Sequence, residues 1–138
     1  MQIDLGAIGK GYALDQAAEL LKERYEIKNA LLNAGTSTVL GVGSMPDRDG
    51  WLVRAGAPEP FALHDEAVSG TGFQVKGAHI IDPRTAKLVD LRRTIRWAIA
   101  PNATLADALS TAFMVMNRKE IAAFRRVYPE VRVIYCET

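Results

Sequence analysis

Thr94-Ile-Arg-Trp-Ala-Ile99 and, five residues on, Thr104-Leu-Ala-Asp-Ala-Leu-Ser-Thr-Ala-Phe-Met-Val-Met116 decide the fold class of this chain. The first run is rich in β-branched and aromatic residues and ends at a Pro-Asn break, which reads as a strand. In the second, Leu105, Ala108, Leu109, Ala112, Val115 and Met116 recur at helical spacing, and Thr104 is placed to cap the helix N-terminus. A strand followed closely by a core-packing helix makes the chain a mixed one.

Working outward, Asn117 with Glu120 three residues later forms the pattern of a capping box opening a third helix. Tyr128-Pro129 should end it before a last strand over 131–135, since the residue before proline avoids helical backbone. Upstream, residues 2–6 read as a short extended entry. Leu14, Ala17, Ala18 and Leu21 then recur at helical spacing, with Asp15, Gln16, Glu19 and Lys22 turned outward, predicting an amphipathic helix over about 8–25. Between these helices lie short β-type runs at 30–33, 38–42, 51–55, 67–69 and 78–81, broken by Gly, Pro and Asp. The fold class is therefore α+β, a mostly antiparallel sheet with two or three packing helices. No repeat or linker divides the chain, so residues 1–138 are expected to form a single domain.

At 49% hydrophobic and 24% charged residues, 138 positions are enough for one real core. Lys and Arg total 17 against 16 Asp and Glu, so no long-range field favours nucleic acid or an acidic membrane surface. The lone Cys136 rules out an internal disulfide framework and a cysteine-built zinc site. No stretch approaches the roughly 20 apolar residues of a membrane span, and residues 1–15 lack the apolar core of a signal peptide. The expectation is a soluble chain of the bacterial cytoplasm, or of the cell envelope or periplasm for a precursor carrying an export signal.

Two familiar glycine motifs fail on inspection. Gly6-Ala-Ile-Gly9-Lys10-Gly11 has two residues rather than four between its first glycines and no Ser or Thr after the lysine, so it is not a phosphate loop. A dinucleotide fingerprint starting at Gly9 would need a small residue at Leu14, and one starting at Gly41 meets Pro46. What remains is a glycine-flanked lysine just before a helix, where open N–H groups and a cation suit an anion such as phosphate, or where Lys10 is simply solvated.

Asp107 and Thr111 stand four residues apart on the predicted helix, so both emerge on one face. Two hard oxygens so placed suit Mg²⁺, which takes one or two carboxylates and completes its shell with water and phosphate. The same pair also suits structural roles: a carboxylate in the first turn favoured by the helix dipole, and a threonine bonded back to a carbonyl. His79-Ile-Ile-Asp-Pro-Arg-Thr85 puts a histidine on a predicted strand that leaves through a turn. Its imidazole can act as a base near neutrality or serve only as a packing residue; Asp82 can cap the turn and Arg84 sit in solvent. His64, between Leu63 and Asp65, is read as structural.

In order, Asp4-Leu-Gly-Ala-Ile-Gly-Lys-Gly-Tyr-Ala-Leu-Asp15, Leu31-Leu-Asn-Ala-Gly35, Trp51, Ser69-Gly70, His79–Thr85 and Ala106-Asp-Ala-Leu-Ser-Thr-Ala112 resemble the ApbE-type FAD:protein FMN transferases. The resemblance covers nearly the whole chain and matches the C-terminal half of that family. It implies the flavin transferase, T-fold-like core and a Mg²⁺-dependent transfer of the FMN half of FAD to a Thr or Ser hydroxyl of an acceptor flavoprotein, with AMP released. By matching position it implies Mg²⁺ at Asp107, Thr111 and the carbonyl of Ala7, Lys10 at the flavin nucleotide, Ile81, Asp82 and Pro83 along the FAD site, and His79 as the base. An FAD pyrophosphatase yielding FMN and AMP, and a non-catalytic flavin-binding module, share the same residues. Where the family usually continues with glycine, a variable residue and proline, this chain has Ala86-Lys87-Leu88, so a different exit loop is expected.

Overall fold

The computed structural model describes residues 5–71, 79–89 and 95–136. Among them the order is α1 (Gly9–Tyr25), β1 (Ala30–Ala34), β2 (Thr38–Val42), β3 (Trp51–Val53), β4 (Phe61–Leu63), β5 (Glu66–Thr71), β6 (Ile81–Asp82), β7 (Lys87–Leu88), β8 (Ile95–Ala100), α2 (Ala103–Val115), α3 (Arg118–Val127) and β9 (Arg132–Cys136). A five-stranded sheet, ordered β1-β2-β5-β8-β9 with antiparallel neighbours throughout, carries the helices; β3-β4 and β6-β7 form two small hairpins. The α+β class and antiparallel sheet match the sequence reading. Residues 2–4 of the expected extended entry, Ala78 and Thr94 lie outside the described residues. None of the described helices is long and apolar enough to cross a membrane.

Strand alternation sorts the side chains into two cores. Leu40 of β2, Ala67 of β5 and Ala98 and Ala100 of β8 face the helices and pack with Leu14 of α1, Phe113 of α2 and Ile121 of α3. The intervening residues, Val68 and Ile99 among them, face the β3-β4 hairpin and bury Leu63 and Ala55. Alanines at 67, 98, 100, 103 and 106, all fully buried, let α2 lie close on the sheet.

Four expectations are corrected. The cap of α2 is Asn102, whose side-chain oxygen accepts the N–H of Leu105 at 2.8 Å, two residues before the expected Thr104. Asp15 does not face solvent: its carboxylate crosses to α2 and accepts the N–H groups of Ala103 and Thr104, each at 2.8 Å, and the Thr104 hydroxyl. A carboxylate from one helix thus satisfies the open N–H groups at the start of another. The buried face of α2 is Ala103, Ala106, Asp107, Leu109, Ser110, Phe113 and Met114 rather than the predicted stripe, because the helix packs on the sheet, α1 and α3 at once. Finally, His79 and Ile80 precede β6 and are not in a strand.

Other local readings match. The capping box of α3 is complete, with Asn117 accepting the N–H of Glu120 at 3.0 Å and Glu120 accepting that of Asn117 at 2.6 Å. At the far end of α2, the guanidinium of buried Arg96 on β8 donates to the carbonyls of Phe113 and Met116, where a cation complements the helix dipole.

Candidate active site

An open cleft of about 1000 Å³ lies where the start of α1, the β1-β2 turn, the end of β5, the segment before β6 and one face of α2 converge. That volume is at the upper end of the usual range for small-molecule sites. Ala7, Lys10, His79, Ile81, Pro83, Asp107 and Thr111 all line it, so the structure brings together every predicted site residue except the Asp82 side chain.

Asp107 is the anchor. Its residue is only 3% exposed, and a carboxylate so buried must be hydrogen-bonded. The N–H of Gly11 donates to Oδ2 at 3.0 Å, the hydroxyl of Ser69 donates to Oδ1 at 3.2 Å, and Lys10 Nζ stands 3.6 Å from Oδ1. Thr38 stands 3.5 Å from the same oxygen and 2.9 Å from Ser69 Oγ. This geometry follows from strand register: Thr38 and Ser69 are directly opposite on β2 and β5, on the face turned to α2. The anion that meets the Gly11 N–H is therefore the protein's own carboxylate, not a bound phosphate.

Thr111, one turn further along α2, shares a 3.1 Å hydrogen bond with Thr71 of β5, and Thr71 lies 2.6 Å from Ser110 Oγ. The back-bond to a carbonyl that was open to Thr111 as a structural alternative is made by Ser110, whose hydroxyl donates to Asp107 O at 2.8 Å. Sequence reading missed Thr38, Ser69, Thr71 and Ser110 as site groups. Two signals were available: Ser69 and Ser110 stand inside the motifs that carry the family resemblance, and Ser69 and Thr71 alternate along their strand, which puts both on one face.

The hairpin that carries Ile81 and Pro83 is held by Arg84, which does not merely sit in solvent. It donates to both oxygens of Asp82 (3.0 and 2.8 Å), to Glu120 at 2.7 Å and to the carbonyl of Val115 at 3.0 Å. The Asp82 hydrogen bond, with the Asp82 and Glu120 charges, holds the guanidinium pKa above its ordinary value despite partial loss of water around it. Asp82 also accepts the N–H of Arg84 at 2.9 Å, capping the turn. Its carboxylate thus pins the cleft wall, while Ile81 and Pro83 line the space.

His64 stands in a separate surface cluster. Ser44 Oγ and Asp49 Oδ1 both lie 3.0 Å from its Nδ1. On the opposite nitrogen, Nε2, the Asp65 carboxylate stands 3.6 Å away, beyond hydrogen-bond distance. A Ser-His-Asp relay needs a carboxylate hydrogen-bonded to the nitrogen opposite the serine, so this exposed grouping clamps a loop rather than activating a nucleophile.

The donor set can be tested against a cation. Among the described residues no group of three or more His, Cys, Asp and Glu could hold a metal. One buried carboxylate and one hydroxyl on the same helix face, with Ala7 lining the same cleft, offer hard oxygens, which suits Mg²⁺ completing its octahedron with water and phosphate and suits a thiophilic metal poorly.

The fold and cleft define an α+β protein built to bring a hard-oxygen site and a lysine to one open pocket. The family model for the ApbE family matches residues 1–135, and the chain belongs to that family. It is 29% identical to the FAD:protein FMN transferase of Treponema pallidum, over 98% of this chain and 43% of that protein. To the FAD:protein FMN transferase of Rhodobacter capsulatus it is 32% identical, over 87% of this chain and 25% of that one. The solved flavinyl transferase ApbE of Pseudomonas stutzeri superposes with a TM-score of 0.82 at 25% identity, covering 97% of this chain and 44% of the other. The ApbE protein of Thermotoga maritima gives 0.73 at 28% identity, with coverages of 97% and 48%. The chain spans less than half the length of each of these proteins.

Proposed function

We propose that this chain carries the cleft of an FAD:protein FMN transferase, which moves the FMN half of FAD onto a Thr or Ser hydroxyl of an acceptor flavoprotein and releases AMP. Residues 1–138 are taken as one domain, the C-terminal half of a longer transferase, a reading supported by the share of its relatives' length that it spans. The observation that carries the proposal is the buried Asp107 carboxylate, held by Gly11 and Ser69 beside Lys10, with Thr111 one turn on along the same cleft.

In this reading Asp107, Thr111 and the carbonyl of Ala7 hold Mg²⁺, which when bound neutralises charge on the pyrophosphate oxygens. Lys10, half-exposed at the cleft, meets the phosphates of the flavin nucleotide. Ile81 and Pro83 provide apolar wall for FAD, and Asp82 keeps that wall in place through Arg84. His79 takes the proton of the acceptor hydroxyl as its oxygen bonds to the FMN phosphorus and the bond to the AMP oxygen breaks.

The test is incubation of the full-length protein with FAD, Mg²⁺ and an acceptor flavoprotein. Covalent flavin on the acceptor and free AMP are expected, and Asp107→Ala should abolish both while leaving the helix formed. FMN and AMP appearing without acceptor would make the protein a pyrophosphatase. Tight FAD binding without turnover would make it a binding module, and either result overturns the transferase reading.

A further inference from the structure

Two hydroxyls on the cleft wall, Thr71 and Thr111, and the buried hydroxyl of Ser110 form a chain with a single direction. A serine or threonine hydroxyl has one hydrogen to donate and two lone pairs to accept with. Ser110, fully buried, donates its hydrogen to the carbonyl of Asp107 at 2.8 Å. Toward Thr71, 2.6 Å away, Ser110 can therefore only accept, so Thr71 is the donor. With that hydrogen engaged, Thr71 can only accept from Thr111 at 3.1 Å. The order Thr111 → Thr71 → Ser110 → Asp107 carbonyl is the one assignment in which every contact has a hydrogen.

We propose that Thr71 and Ser110 are positioning residues that hold the hydroxyl hydrogen of Thr111 on Thr71 and leave the Thr111 oxygen with only lone pairs for a guest in the cleft. The inference rests on the Mg²⁺ reading of Asp107 and Thr111 and deepens it. A neutral hydroxyl ligates a cation through a lone pair, and its hydrogen must point elsewhere. A phosphate oxygen would need that hydrogen. The chain therefore selects a hard cation over a phosphate oxygen at Thr111, and it does so before any guest arrives. It starts at Thr111, passes through Thr71 of strand β5 and ends on the backbone of Asp107, so both residues proposed as side-chain ligands are tied into one network.

The probe is Mn²⁺ alone, titrated by electron paramagnetic resonance into the full-length protein. Partners behind a metal ligand typically contribute roughly 10–100-fold in metal affinity. Thr71→Val, which keeps the shape and removes the hydroxyl, should weaken Mn²⁺ binding about tenfold, and Thr71→Ser should restore it. Ser110→Ala frees the Thr71 hydrogen to turn on Thr111 and should weaken binding similarly, which keeps the test decisive if Thr71→Val fails to fold. Unaltered binding in a folded Thr71→Val or Ser110→Ala protein, with binding lost in Asp107→Asn, would overturn this inference and leave the metal reading standing. Absence of Mn²⁺ binding in the unaltered protein, or unaltered binding in Asp107→Asn, would overturn the metal reading and this inference with it.

Discussion

The main-chain N–H of Gly11 on α1 donates to Oδ2 of Asp107 on α2 across 3.0 Å, and that bond joins the close approach of two helices to the orientation of the buried carboxylate that lines the cleft. The approach depends on the missing side chain. A Cβ on Gly11 would fall on the carbonyl of Ala103 and lie 2.8 Å from Thr104 Cα, both main chain that cannot swing aside.

Gly11→Ala should therefore destabilise the protein by about 3 kcal/mol, the upper end for overpacking, since the helices must part. Urea denaturation measures this directly; a midpoint within error of the unaltered protein would show that α1 and α2 can slide without loss.

Asp15→Ala removes the acceptor for two N–H groups and one hydroxyl at the start of α2. A loss of about 2 kcal/mol is expected, in the range for a cap made through a charged acceptor. Asp15→Asn should recover only part of it, because an amide offers one acceptor oxygen where two are used. Thermal unfolding of both variants checks the order.

Ala86 occupies the left-handed region at φ +54°, closing the turn between β6 and β7 with its N–H on the carbonyl of Asp82 at 2.8 Å. This is the position where the family usually has glycine, and glycine takes that backbone without the Cβ clash. Ala86→Gly should stabilise by roughly 0.5–1 kcal/mol, the relief exceeding the entropy glycine adds to the unfolded chain. A lower denaturation midpoint would contradict this.

The pKa of Glu120 is lowered, first by the N–H of Asn117 and then by Arg84. A carboxylate more acidic in the folded state stabilises above its unfolded pKa, near 4.5, and that contribution is lost as the pH falls through the folded value. The unaltered protein should exceed Glu120→Gln in thermal midpoint at neutral pH, and the gap should close as the pH falls below about 4.5. A gap that stays constant with pH would refute the assignment. The same titration should loosen the β6-β7 hairpin, because Glu120 holds Arg84.

By itself the sequence determined the α+β class, the three helices, the capping box of Asn117 and Glu120, and the family, because each is written in local spacing or in an ordered set of short motifs. It also put Asp107 and Thr111 on one helix face. Tertiary structure alone decided what surrounds them. The Gly11 N–H, Ser69 and Thr71 reach α2 only through strand register and the packing of α1, contacts 96, 38 and 40 residues apart in the chain. The same holds for Asp15, whose period placed it in solvent while its carboxylate caps another helix 88 residues away. Periodicity reports which face of an element is apolar; which polar groups meet across elements depends on distances that only the packed chain defines.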